Sequence, residues 1–173
     1  ENSCNCLNKK GHPTEDFKEC SKEKKSKECE NYNLCKKIFK LFMSGSEPDY
    51  EPEKWNSNPY IKNSHNCYAY FLDDKLPHVK NKCKKLKNKN CGSLKPQPSH
   101  LSFLRGKRTH KNRKYVCPEM VKAVIDDNPN IKIGQFNKKC PKNSYKGYLT
   151  VDKNHTYHFY RQDSNQRFSH KQG

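Results

Sequence analysis

Two residue types in this chain could together cleave an acyl bond. A cysteine opens a helix-like run in NSHNCYAYFLDD (63–74), and histidines occur in two late β-rich segments, HTYHFYRQD (155–163) and QRFSHK (166–171). Thiol catalysis requires a thiolate, a base that takes and returns a proton, and a group that orients the base. A helix N-terminus assists the first, because unpaired amide N–H groups and the macrodipole stabilise the anion and lower the thiol pKa. Asn63, Ser64 or Asn66 suits the cap of a helix running from Cys67 through Leu72. A cap at Asn66 or Ser64 leaves the Cys67 amide pointing outward as an oxyanion donor.

His158 is the best-placed base. On a strand it faces the same way as Tyr160 and Gln162, and opposite to Tyr157, Phe159 and Arg161. His155 falls in the preceding turn and is the poorer choice. The orienting group depends on the parity of the next turn. A three-residue turn at Ser164, Asn165 and Gln166 pairs Asp163 with Arg167 and Tyr160 with His170, so that His170 shares the face of His158. A two-residue turn sends His170 to the other face, leaves Ser169 or Lys171 beside His158, and makes Gln162 the orienting alternative.

Against this chemistry stands the simplest use of a cysteine. Ten cysteines, at 4, 6, 20, 29, 35, 67, 83, 91, 117 and 140, suggest a disulfide-stapled chain matured in an oxidising place. If all ten pair, Cys67 is a staple and no nucleophile remains. Zinc is the weaker reading: there is no C-x-x-C pair, and Cys4, Cys6 and His12 lack a well-spaced second pair. No metal site and no cofactor is expected.

The elements that must position these residues follow from period and breakers. Residues 1 to about 33 are polar and Cys-rich, with no sustained period, and NLCKKIFKLFM (33–43) has helical spacing closed by Ser44-Gly45. SEPDYEPEKWNSNPY, with three prolines and the only Trp, reads as an extended linker. From Asp73 to about Arg113 the chain reads as a long loop, functional or pinned by Cys83 and Cys91. CPEMVKAVIDDNP predicts a helix with Pro118 in its first turn, an apolar face of Met120, Val121, Val124 and Ile125, and Pro129 as its stop. KGYLTVD, HTYHFYRQD and QRFSHK predict an antiparallel meander. The class is α+β, with a Cys-rich, partly helical extension and linker over 1–55 and a domain over 56–173.

Composition narrows the partners. The 173 residues carry a net charge of +18 with 31% hydrophobic residues, which favours an anionic surface or an acidic protein partner. The lysine clusters lack the aromatic interleaving of a base-stacking surface, so they read as a solvated face and nucleic acid is the disfavoured partner. IFKLFM is far shorter than the roughly 20 residues of a membrane span. No signal peptide is visible and the first residue is Glu, so the chain is expected to be a mature or excised piece of something longer. An oxidising, secreted or virion-associated setting is expected, in which the sequon Asn154-His155-Thr156 would matter.

HNCYAYFLDD, KPQP (95–98), CPEMVKAVIDDNP and TYHFYRQDSNQRFSHKQG together resemble a papain-like cysteine amidase/peptidase domain of the cell-wall-peptidase group that includes CHAP domains, in a version found in large DNA viruses and some bacteria. The resemblance covers roughly 56–173. It implies a Cys-bearing helix packed on an antiparallel sheet, with Cys67 as nucleophile, His158 as base, His170 as the third member, and hydrolysis of a peptide or amide substrate through an acyl-thiol. In this sequence Gln166 stands where relatives tend to have Gly, and Phe168 where they tend to have Trp. The alternative expectation is a catalytically idle, disulfide-stapled basic structural protein, such as a minor capsid or virion component of a large DNA virus, contacting other virion proteins.

Overall fold

The computed structural model describes residues 40–99, 115–135, 138–153 and 155–172. Most of the helix expected over 33–43 lies outside them; Lys40 and Leu41 are helical. Asn154 of the sequon also lies outside.

The segment expected as a linker has no helix over 46–51, as expected, but then forms two short helices, α1 (Pro52–Asn56) and α2 (Pro59–Ser64). Each begins on a proline, whose fixed φ and missing N–H suit the first turn. The Asn58 side chain caps α2 by accepting from the Tyr60 and Ile61 amides. Pro52 and Pro59 are therefore helix starts rather than signs of extended chain, whereas Pro48 lies in the irregular stretch before α1. Trp55 is buried and packs edge-on to Tyr70, with ring centroids 5.1 Å apart.

α3 (Cys67–Phe71) follows after His65 and Asn66. The region expected as a long loop contains α4 (Pro77–Lys85) and a 3-10 turn, Cys91–Leu94. α4 shows the core only Val79 and Cys83, one helical turn apart, and its remaining positions are mostly lysine and asparagine. That stripe is too narrow to register as an apolar period. Cys83 and Cys91 form a disulfide. It closes the loop between α4 and the 3-10 turn, where Lys87, Asn88 and Asn90 all take left-handed backbone angles.

α5 (Cys117–Asp127) matches the predicted helix, with a proline in its first turn. Its most buried face is Met120, Ala123, Val124 and Asp127; Val121 and Ile125 lie at the margin. β1 (Gly147–Asp152), β2 (Thr156–Gln162) and β3 (Phe168–Ser169) form an antiparallel sheet in the order β1-β2-β3. The architecture is α+β, as the order of patterns predicts.

Two apolar clusters join these parts. One gathers Trp55, Ile61, Ala69, Tyr70, Leu76 and Val79 among the helices, and the other joins Cys67 and Tyr68 of α3 to Val124 and Phe159. α3 thus lies between helices and sheet. Gly147 allows that approach: a Cβ there would stand 1.9 Å from the Phe71 ring, itself stacked on Phe159.

Candidate active site

The cap of α3 is Asn66. Its Oδ1 accepts from the Ala69 amide, and its Nδ2 donates to the Pro96 carbonyl at 2.7 Å. The side chain thereby starts the helix and ties it to the KPQP segment, whose Gln97 accepts from the Tyr157 hydroxyl on β2. Ser64 instead ends α2, donating to the Tyr60 carbonyl, and Asn63 turns outward to Asn88.

Cys67 is a free thiol, as are Cys117 and Cys140. Only Cys67 is buried among the three, at 4% exposure. Burial pushes its pKa up. The amides of Phe159, Tyr68 and Cys67 itself, together with the charge of Lys171, pull the other way without reversing it. The lowering expected from a helix N-terminus is thus outweighed, because a five-residue helix supplies few aligned dipoles and desolvation opposes the thiolate.

The register of the meander explains how the sulfur meets Phe159. Gln162 donates its amide to the Lys146 carbonyl on the β1 side, and Asp163 donates to Arg167 on the β3 side. Backbone direction alternates along a strand, so the Phe159 N–H points to the β3 side. β3 pairs only Arg161 with Ser169 and Gln162 with Phe168. Further along, the pairing of β2 with β3 ends, and Cys67 packs in one buried cluster with Phe159, one residue from His158, where the Phe159 amide favours the thiolate.

The turn between β2 and β3 has three residues, Ser164, Asn165 and Gln166. The Asp163 carbonyl accepts from the Gln166 amide, the Asp163 amide donates to the Arg167 carbonyl, the Arg167 amide donates to Asn165 Oδ1, and Gln166 is left-handed at φ 73°. The parity condition for His170 is met. His158 Nε2 and His170 Nδ1 lie 2.8 Å apart, and their rings meet edge to face at 4.7 Å. Tyr160 completes the cluster, 5.0 Å from the His158 ring and 5.3 Å from the His170 ring. His158 is half-buried and His170 exposed. Gln162 is buried, and its Oε1 has no hydrogen-bond partner. His155 lies apart, in the exposed turn, with Nδ1 on the Lys153 carbonyl.

Sequence reasoning passed over two buried neighbours of this site. His65 is wholly buried, with Nδ1 on the Ser64 hydroxyl and Nε2 on the Lys75 carbonyl, and burial holds its pKa below the usual histidine value. Lys171 is also buried; its ammonium donates to the Lys62 and Gln172 carbonyls. A lysine after the last strand carries no local signal of burial. Strand parity had marked Lys171 only as a possible neighbour of His158.

The opposite face of β2 is structural. Phe159 stacks on Phe71 at 5.0 Å, and Arg161 lies 4.1 Å over the Tyr70 ring. The buried Arg161 guanidinium bonds Asp163 at 3.0 Å and Asp73 at 2.6 Å, and it reaches the Asp49 carbonyl. One side chain therefore joins the sheet, the end of α3 and the segment before α1.

The class defined by these features is an α+β domain in which a buried helix-opening thiol lies against the strand that carries a paired histidine. No family model, curated protein or solved structure matches the chain. No helix among the described residues is long and apolar enough to cross a membrane.

Proposed function

We propose that this chain is a thiol-dependent hydrolase of the papain-like amidase/peptidase kind, acting on an amide or peptide bond. The observation that carries the reading is the pairing of His158 Nε2 with His170 Nδ1 at 2.8 Å on the strand whose next residue, Phe159, packs in one buried cluster with Cys67. Each residue then has one role. His158 Nε2–H donates to His170 Nδ1, which fixes the tautomer and leaves His158 Nδ1 as the base nitrogen. Because burial keeps Cys67 protonated, proton transfer to His158 accompanies attack. The sulfur adds to the carbonyl carbon and the carbonyl oxygen takes up negative charge, which the Cys67 amide receives. Collapse expels the amine with the proton from His158, leaving an acyl-thiol. Water, deprotonated by His158, adds to it, and the thiol leaves with that proton.

A catalytically idle interaction scaffold, such as a basic minor capsid or virion component, is the second reading; the 4% exposure of Cys67 favours it. Acylation separates the two. Incubation with p-nitrophenyl acetate followed by peptide mapping is expected to place the acetyl group on Cys67, and His158→Ala is expected to abolish it. Acetylation of Cys117 and Cys140 with Cys67 untouched would select the idle scaffold.

A further inference from the structure

Lys171 also lines an open cleft of about 480 Å³. Lys62 at the end of α2, Lys95 after the 3-10 turn, and Lys171 line it, with amide side chains from Asn56, Asn63 and Asn90. No carboxylate is among its described lining residues. The Cys83–Cys91 disulfide holds one wall, since Cys91 itself borders the cleft. Most of the described lysines are exposed and solvated, whereas here three from separate elements converge and one is buried.

From this convergence we infer that the cleft binds an oxyanion of the phosphate or sulfate class, either free or as an ester whose organic part fills the remaining volume. Three ammonium groups without an acid match a dianion better than a single carboxylate, and the asparagine amides add neutral donors. The volume lies within the range of small-molecule sites and exceeds what one bare anion occupies. Two of the three Lys171 donors are committed to the Lys62 and Gln172 carbonyls, which fixes the ammonium at the wall. Burial, then the charges of Lys95 and Lys62, push the Lys171 pKa down to about 8, while Cys67 opposes. A bound anion would reverse that repulsion, so binding above that pH takes up a proton.

The experiment is isothermal titration of the intact protein at physiological ionic strength with inorganic phosphate, sulfate and glucose 6-phosphate. Saturable one-site binding is expected. Tighter binding of the ester identifies an organic phosphate as the occupant, and equal affinities identify the free anion. Lys62→Gln and Lys95→Gln should each weaken binding at least about fivefold, the scale of losing one close charge pair. Lys62→Gln leaves the backbone carbonyl that anchors Lys171 in place. Lys122→Gln, on the exposed face of α5, should leave affinity unchanged. Repeating the sulfate titration, whose ligand stays a dianion throughout, in two buffers of different ionisation enthalpy should show proton uptake above pH 8 and none at pH 6. Absence of saturation, or an equal loss with Lys122→Gln, would overturn the site in favour of general attraction to a basic surface.

Discussion

At the scale of single residues, burial governs the chemistry more than dipoles do. Cys67 is expected to react with iodoacetamide more slowly than exposed Cys117, with its rate still rising at pH values where an ordinary thiol has levelled off. Peptide mapping across a pH series measures this; a Cys67 rate that levels off near neutrality would show that its charge partners outweigh desolvation. His65 gives the opposite pH signature. Its folded pKa is depressed by burial below the ordinary value of 6.5, so the unfolded chain protonates first as pH falls. The stability it contributes is present above 6.5 and is lost as pH drops through the folded value. Denaturant midpoints between pH 7 and 5 should therefore decline, and His65→Gln should flatten the slope.

At the scale of elements, caps and turns set where each group points. Asn66→Ala removes both the α3 cap and the tie to Pro96, and should cost about 1–2 kcal/mol in urea unfolding. Gln166 is strained at φ 73°, so Gln166→Gly should stabilise the protein by about 1 kcal/mol without changing the register. Deleting Asn165 instead shortens the turn to two residues with Asp163 still opposite Arg167, so His170 keeps its face. NMR should then retain the His158–His170 contact. Gly147→Ala tests the seat of α3: the added methyl meets the Phe71 ring and should cost about 1–3 kcal/mol.

Across the whole molecule, the buried Arg161 holds together segments distant in sequence. Arg161→Ala would strand the buried Asp163 carboxylate and should destabilise by about 3–5 kcal/mol, measured by chemical denaturation. The segment from Ser44 to Trp55 belongs to the same packing. Ser44 donates to the Ser144 carbonyl, the Pro48 carbonyl accepts from the Ser164 amide, and Trp55 enters the helical core. The Cys83–Cys91 disulfide closes a short loop, so converting both cysteines to serine should cost about 2–3 kcal/mol. Disulfides form and persist in oxidising compartments, in keeping with that part of the expectation.

The sequence alone determined what depends on local pattern. Strand alternation marked the meander, Asn66 was among the candidate caps of α3, and the proline and apolar face of CPEMVKAVIDDNP marked α5. It also reduced the placement of His170 to one count, the length of a turn. That count was legible only as two alternatives, because Gln166 is not the glycine that would announce a left-handed turn position. Three helices were missed: α1, α2 and α4 carry few apolar residues, and their stability comes from what Trp55, Ile61, Val79 and Cys83 touch. The state of Cys67, the burial of Lys171 and the cleft beside it belong to tertiary structure. Each depends on desolvation or on charges brought together from several elements, and neither has a period along the chain.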